Sequence, residues 1–567
     1  MMAGEAAVEV LRAEGVKYIF GLPGAHTLRL YDVLHRCPEI QHVLVRHEQA
    51  AANMAGAYAQ LTGEPGICTA TAGPGATNLV TGVAEAYKGA LPVIVLTGRT
   101  STATQHRGAG QDIDQDAVFT PITKWAVRVD RADLLVPVLR QAFVIARSGK
   151  PGPVLVDIPI DLQDQEVVFE DYRPAGKPPA PRAAASVVSE VAERLVASDR
   201  PLIIAGGGAL MGGAAAELRR LAEMMAMPVL TTLSGRGVFP DDHPLAGGGL
   251  GVHRNPVSRD LLQTADFVLG LGCRFEEMET NWCPGFLPPG GSCYVQVDTD
   301  PIELGRSVIP TIGAVSDARL FVADLLEELK DRRAPDQTAG LDAVPRVLEM
   351  TEKKRQLEEQ IRPWLTSEDV PLDPVRVIGE IRQVFGTDAS AAIDIGLTTQ
   401  GFGGAFPYFK TTRVRSLIVP TSFYAMGFAA SALPIAKLVH PDYPAVGLCG
   451  DGTFQMVMNV LPVAAELGLA VTWCVFNNEG YASLRNLQEG WLQGRFIATG
   501  FSTQPDFARI AEACGCYGEK VLDPQQIGPA LERALAANTA GRPAVLDFLV
   551  AEKKSQAACE FEDDIFR

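Results

Sequence analysis

The chain has 567 residues, 47% of them hydrophobic, and a net charge of −17. That length predicts three or four domains of roughly 100–200 residues each. The acidic balance speaks against a nucleic-acid partner, whose phosphates attract cations. No apolar run reaches the ~18 residues needed to span a bilayer. The start, Met1 to Val16, carries Glu5 and Glu9 where a secretion signal has basic residues. Ten cysteines without a CxxC pair point to reduced thiols rather than zinc or a disulfide framework. These features predict a soluble cytoplasmic protein that acts on small molecules.

The first segment, 1–165, carries short apolar or β-branched runs at Val16–Phe20, His42–Val45, Gly66–Ala70, Pro92–Leu96 and Val154–Asp157. Helical patterns lie between them, at Glu48–Leu61 and Thr77–Tyr87. Buried strands separated by helices predict a parallel sheet covered on both faces. Asp171 to Ser186, rich in Pro, Ala and Arg, reads as an extended linker. The second segment, 188–335, opens with the strand Pro201–Ile204, the glycines Gly206, Gly207 and Gly208, and the helix Ala214–Met225. Strands at Phe267–Leu271 and Cys293–Val297 follow. Residues 340–366 read as a charged connecting helix. The third segment, 370–550, places strands at Ala391–Ile395, Ala445–Cys449, Val471–Phe476 and Ala544–Phe548. The fold class is therefore α/β, with three domains that each hold a mainly parallel sheet flanked by helices, and an acidic tail over 551–567.

The sharpest motif is Gly450-Asp451-Gly452, followed after 24 residues by Asn477-Asn478. Asp451 follows an apolar strand, and ligands of open α/β sheets bind at that edge. Gly452 allows a tight turn into a helix starting near Thr453, whose free N–H groups favour a diphosphate. The gap holds one helix and one strand, so Asn478 arrives one strand over. A carboxylate, an amide oxygen and the carbonyl of Gly480 then make a hard oxygen set for Mg²⁺ shared with a diphosphate. Taken singly, Gly-Asp-Gly is also an ordinary turn and Asn-Asn an ordinary helix cap.

This segment resembles the cofactor motif of the thiamine-diphosphate-dependent acetohydroxyacid synthase and pyruvate decarboxylase superfamily. The resemblance runs from Met1 to about Val550. It implies thiamine diphosphate and Mg²⁺ as cofactors, with Asp451, Asn478 and Gly480 as metal ligands and Gly450, Gly452, Thr453 and Tyr481 around the cofactor. Activating that cofactor calls for a carboxylate hydrogen-bonded to its aminopyrimidine ring in a water-poor pocket. Glu48, in Arg46-His47-Glu48-Gln49-Ala50-Ala51, matches the family's catalytic glutamate. An acid in the first turn of a helix is also favourable on electrostatic grounds alone.

Thr71 to Asn78 matches the family's glycine-rich turn, which makes Gly73, Pro74 and Asn78 cofactor contacts. His26 lies in the strand-end loop Gly21–His26, where benzaldehyde lyase is similar and a histidine can serve as acid or base. A surface role is the other reading of His26. Gln111 matches a glutamine near the reacting carbon, although Gly110 replaces the usual aromatic residue before it and a solvated side chain is the alternative. Met426 matches the apolar residue that bends the cofactor, a role that suits a flexible side chain, with plain core packing as the alternative.

Asp394-Ile395-Gly396 resembles the start of a second diphosphate-contacting loop, which makes Gly396 and Thr398 cofactor contacts. Leu397 to Gln400 and Gly403-Gly404-Ala405 are similar to cyclohexane-1,2-dione hydrolase. In the middle domain, Gly206–Gly208, Arg274, Asp298 and Asp317 resemble an FAD site, and the family there binds FAD, ADP or nothing.

The resemblance implies an enzyme that makes or breaks a C–C bond beside a carbonyl, with small carbonyl compounds as substrates. The foremost reading is a 2-ketoacid carboligase or decarboxylase of acetolactate-synthase-like type. A lyase or hydrolase of α-hydroxyketones or cyclic 1,2-diketones is the alternative. A non-catalytic cofactor binder and a 2-hydroxyacyl-CoA lyase were weighed as well. Intact Glu48, Asp451 and Asn478 oppose the former, and the acidic tail offers no basic patch for CoA. A Trp that selects the second ketoacid is absent near Leu487, which disfavours branched-chain synthesis. The family implies a homodimer at minimum, and a two-fold symmetric tetramer as the common assembly.

Overall fold

Runs of residues buried on both faces become the inner strands. In β3 (Gly66–Ala70) and β4 (Val93–Arg99) every residue is buried. The computed structural model describes residues 1–105, 107–280, 292–330, 332, 340–396 and 409–552. With β1 (Tyr18–Gly21), β2 (Gln41–Leu44), β5 (Trp125–Arg128) and β6 (Val154–Pro159), these strands form a six-stranded parallel sheet of order β2-β1-β3-β4-β6-β5.

The second sheet is built from β7 (Pro201–Ala205), β8 (Val229–Thr231), β9 (Ala246–Gly249), β10 (Phe267–Leu271), β11 (Cys293–Asp298) and β12 (Ile312–Val315). Its order is β12-β11-β10-β7-β8-β9. The third holds β13 (Ser390–Ile393), β14 (Leu417–Ile418), β15 (Ala445–Gly450), β16 (Thr472–Asn477), β17 (Tyr517–Val521) and β18 (Ala544–Leu549), in the order β14-β13-β15-β16-β18-β17. The first and third sheets thus share one topology. The middle sheet has the 3-2-1-4-5-6 order that binds nucleotides where the winding reverses. The expected α/β architecture is present.

The predicted helix at 340–366 runs from Pro345 to Leu365. The linker before Ala185 forms neither helix nor strand after Glu166. The helix expected over Thr77–Tyr87 is two helices, Pro74–Asn78 and Val80–Lys88.

The first and third domains share one core. The alanine-rich helix Glu48–Thr62 lies against the helix Phe428–Ala432. Small side chains let the two approach closely, so that a Cβ on Gly56 would fall 3.1 Å from the Phe428 ring. Burying Phe428 contributes roughly 2–3 kcal/mol. Two polar ties fix the register: Asn53 Nδ2 donates to Ser431 Oγ at 2.9 Å, and Gln60 Nε2 donates to the Val419 carbonyl at 2.8 Å. Among the described residues no helix is long and apolar enough to cross a membrane, and the cysteines are free thiols.

Candidate active site

The Gly-Asp-Gly motif sits at the end of β15, beside the point where the third sheet reverses between β13 and β15. The helix begins at Asp451 itself, two residues earlier than the start expected near Thr453. Gly450 takes the extended cap conformation, and that brings Asp451 into the first turn. The gap before Asn477 also holds more than one helix, Asp451–Val457 and Leu461–Glu466 being joined by a short turn.

Asp451 is 1% exposed, and its Oδ2 accepts from the Gly480 N–H at 3.1 Å and from Gln504 Nε2 at 2.6 Å. Burial pushes its carboxyl up to about 6 against those hydrogen bonds. β16 pairs with β15 and ends at Asn477, so Asn478 does arrive one strand over. Its Oδ1 is buried and accepts no hydrogen bond. An acceptor left so costs about 1–3 kcal/mol, which a cation would offset. Gly480 is pressed against the Thr499 carbonyl, 2.3 Å from where a Cβ would stand, so its backbone is held at the site. A carboxylate, an amide oxygen and a backbone carbonyl are hard oxygen donors of the kind that suits Mg²⁺. Tyr481 packs edge-on against Phe501, with ring centroids 4.9 Å apart, and covers Gly452. Gly450 faces open space. Thr453 Oγ1 reaches the Ile395 carbonyl at 3.5 Å.

Two buried carboxylates hold the loop that carries Met426. Asp394, after β13, accepts from the N–H groups of Ile395, Gly427 and Ala430 at 2.9, 3.0 and 2.8 Å. Complete burial pushes its carboxyl up to about 7. Glu85, in the first domain, accepts from the Ala425 N–H at 2.9 Å and from Thr421 Oγ1 at 2.5 Å. Burial raises its pKa as well. Met426 is half-buried on that loop. Gly396 is the last described residue of its loop. Thr398, the stretch 397–408 and the tail from 553 lie outside the described residues.

The first domain gathers its own candidate residues at the equivalent sheet edge. Glu48 opens its helix after β2, is 8% exposed, and accepts from Asn78 Nδ2 at 2.9 Å. Gly73 has φ +64°, and a Cβ there would strike the Gln111 carbonyl at 2.7 Å. Its N–H donates to Gln115 Oε1 at 2.7 Å. Pro74 and Asn78 are exposed in the single chain, as is Gln111, whose φ is +66°. His26 Nδ1 lies 3.2 Å from Thr71 Oγ1, and burial lowers its pKa. Among the described residues no hydrogen bond joins Glu48 or Asn78 to Asp451, Asn478 or Gly480.

The middle sheet reverses between β7 and β10. Gly206 and Gly208 follow β7 and pack on Gly272 after β10, with a Cβ on Gly206 falling 2.2 Å from the Gly272 carbonyl. Cavities of about 80 and 460 Å³ adjoin there and share Gly208, Gly272 and Asp298, with Gly207 lining the smaller one. Arg274, expected to meet a diphosphate, is engaged by the Lys88 carbonyl at 2.8 Å and Glu276 at 3.2 Å. The larger cavity is lined by Arg319, and by Arg147, Lys177 and Arg415, which are themselves engaged by Glu14, Glu64 and the carbonyls of Leu210 and Met211. Asp298 accepts from the Asp300 N–H at 2.9 Å, and Asp317 accepts from the Leu320 N–H at 3.0 Å.

Sequence reasoning missed Gln115, Glu85 and Gln504. Glu85 carried a signal, an isolated acid in the run Gly82-Val83-Ala84-Glu85-Ala86. Gln504, in a loop between elements, carried none.

Family models for thiamine pyrophosphate enzymes match in three pieces: the N-terminal TPP-binding domain over residues 1–118, the central domain over 188–325 and the C-terminal TPP-binding domain over 398–548. The chain is 35% identical over 559 residues to a probable acetolactate synthase large subunit of Methanocaldococcus jannaschii, covering 97% of this chain and 92% of the relative. It is 33% identical over 568 residues to an acetolactate synthase of Mycobacterium bovis, covering 97% and 88%. It is 31% identical over 581 residues to a glyoxylate carboligase of Escherichia coli O157:H7, covering 100% and 95%. These likenesses establish that the chain is a thiamine-diphosphate-dependent enzyme and belongs to the acetolactate-synthase-like superfamily.

Proposed function

We propose that this enzyme decarboxylates a 2-oxoacid and joins the remaining fragment to a second carbonyl compound, using Mg²⁺ beside thiamine diphosphate. The observation that carries this reading is the buried, unpaired Oδ1 of Asn478 beside the Asp451 carboxylate and the Gly480 backbone. When bound, thiamine diphosphate supplies a nucleophilic carbon for addition to a carbonyl and an electron sink for loss of CO₂.

Asp451, Asn478 and the Gly480 carbonyl hold the metal. Gly396, Gly450, Gly452 and Thr453 leave room for the diphosphate, and Met426 and Tyr481 wall the cleft. Glu48 carries a proton to and from the cofactor on a carboxylate that Asn78 orients and burial keeps from water. The backbone of Gly73 and Pro74 lines the same edge. His26 shares Nδ1 with Thr71, which leaves Nε2 free to take or give a proton. Gln111 offers an amide donor to a carbonyl oxygen.

Two copies complete the site, each supplying one half, so a dimer is the least active unit and a tetramer repeats it. Phe423 and Met456, 44% and 48% exposed near the half-site in one chain, are apolar surface that a partner covers. A nucleotide diphosphate of FAD or ADP type fits the cleft at the reversal of the middle sheet.

Relatives named acetolactate synthase and glyoxylate carboligase make pyruvate and glyoxylate the first substrates to test. Metal-stripped protein is given thiamine diphosphate, Mg²⁺ and either acid, and CO₂ and products are followed by NMR. CO₂ with a coupled hydroxyketone product supports the proposal. Cofactor binding without CO₂ from either acid overturns it.

A further inference from the structure

A third cavity, of about 520 Å³, lies away from both half-sites, between the glycine edge strand β9, the helix Pro345–Leu365 and the helix Pro374–Phe385. Its charged lining is five cations, Arg236, Lys354, Arg362, Arg382 and Lys410, against two acids, Asp241 and Glu358. The excess of positive charge stands out in a chain of net charge −17.

Both acids are already taken. Asp241 pairs with Arg236 at 2.8 Å, and Glu358 pairs with Lys410 at 3.0 Å. Lys354, Arg362 and Arg382 have no ion pair among the described residues. Arg382 is 8% exposed, its guanidinium lies 3.8 Å over the Phe409 ring, and its Nη2 is buried without a hydrogen-bond partner. Arg236 donates to the carbonyl of the same Phe409 at 2.8 Å, which places the two guanidinium groups side by side. Lys354 reaches only the carbonyls of Pro244 and His243, at 3.0 and 3.5 Å. Burial and neighbouring cations pull Arg382 down to about 9 and Lys354 down to about 8. This is the electrostatics of a charge cluster short of an anion. The helix that carries Lys354 also brings Leu357, Ile361 and Leu365 to the lining, an apolar stretch beside the cations.

From these features we infer that the cavity binds an organic phosphate, with the dianionic group on the unpaired Arg382 and Lys354 and an apolar body against Leu357 and Ile361. One carboxylate would leave part of the excess charge unmet, whereas a phosphate accepts from several cations at once. The volume falls within the roughly 300–1,000 Å³ range of small-molecule sites. Thr232 to Ser234 line the nucleotide cleft, and Arg236, two residues on, lines this cavity, so one short segment touches both.

Phenyl phosphate is the probe, titrated calorimetrically into enzyme saturated with thiamine diphosphate and Mg²⁺. Saturable binding is expected, with inorganic phosphate ~10-fold weaker, K354Q weakened about 10-fold and L357W without binding. R319Q, in the nucleotide cleft, should bind like wild type. These two variants avoid the buried Arg382, whose loss could unfold the protein. No saturable binding by wild type, or equal binding by wild type, K354Q and L357W, overturns the site. Loss in R319Q with retention in K354Q moves binding to the nucleotide cleft and overturns it as well. Inorganic phosphate binding as tightly as phenyl phosphate would mark an unspecific anion patch and refute the role of the apolar stretch.

Discussion

The first and third domains wind their strands in the same order yet prepare their edges differently. In the first, the polar groups already satisfy one another: Glu48 accepts from Asn78, and the Gly73 turn donates to Gln115. In the third, the groups are gathered but incomplete: Asn478 Oδ1 is buried without a partner, and burial holds the Asp451 carboxyl high. One edge is a finished piece of protein that presents a carboxylate. The other keeps an acceptor oxygen open. Identical topology fixes where a ligand lies, and the hydrogen-bond balance of the edge decides what kind of ligand it is.

The largest effect expected from this contrast is on turnover. E48Q keeps the shape and the Asn78 contact but loses the carboxylate, so kcat should fall about 10²–10⁴-fold. Binding of thiamine diphosphate and Mg²⁺, followed by fluorescence quenching, should stay within ~2-fold of wild type. Near-normal turnover would show that Glu48 is only a helix-start acid.

The contrast predicts opposite signs for two Asn substitutions on metal-free protein. N78A breaks a hydrogen bond to a charged group and should lower stability by about 1.5–3 kcal/mol. N478L removes an acceptor that has no partner, so the metal-free protein should keep its Tm or gain. With Mg²⁺ added, wild type should be stabilised and N478L should not, because a ligand stabilises only the state that binds it. Thermal melts with and without metal decide this. A Tm loss in metal-free N478L equal to that of N78A would remove the distinction between the two edges.

Much of this contrast was legible from the chain, for a physical reason. Inner strands such as Gly66–Ala70 and Phe267–Leu271 are buried on both faces, so they read as continuous apolar runs and their bounds hold residue for residue. The strands left unread are β5, β8, β9, β12, β14 and β17, and all but β8 lie at a sheet edge. Trp125–Arg128 is half-buried throughout, Ile312–Val315 alternates, and Leu417–Ile418 is two residues long. The first two lack the both-face burial that makes a run apolar, and the third is buried but too short to show a pattern. The motifs at strand ends, Asp451, Asn478 and Glu48, were readable because the strand before them was. Gln115, Glu85 and Gln504 act through contacts 42, 336 and 53 residues away in sequence, which no local pattern records.

Gln504 offers a smaller effect on the third-domain edge. Its Nε2 donates both to Asp451 Oδ2 at 2.6 Å and to Asn477 Oδ1 at 2.8 Å, so it orients the carboxylate without belonging to the oxygen set. Outer partners of this kind change metal affinity about 10–100-fold when removed. Q504L should weaken Mn²⁺ binding by that factor in electron paramagnetic resonance titrations, while saturating metal restores turnover. Unchanged Mn²⁺ affinity would reduce Gln504 to a loop contact.

The smallest effect lies in how stability depends on pH, and it tests the loop that Asp394 holds. Burial raises this carboxyl to about 7, above its unfolded value of about 4. The folded protein therefore binds a proton on Asp394 that the unfolded chain has already released between those two values. That contribution is fully present below pH ~4 and is lost as pH rises through about 7. D394N cannot titrate, so it lacks this slope. It also replaces one acceptor oxygen with an NH₂ that faces the N–H groups of Gly427 or Ala430, so it should be less stable at every pH. The Tm difference in favour of wild type should then be widest at the acid end, near pH ~4, and narrow steadily towards pH ~8. A difference that widens with pH would mean that Asp394 works as a carboxylate across the range, with its N–H donors outweighing burial, and the third-domain edge would then be as electrostatically complete as the first.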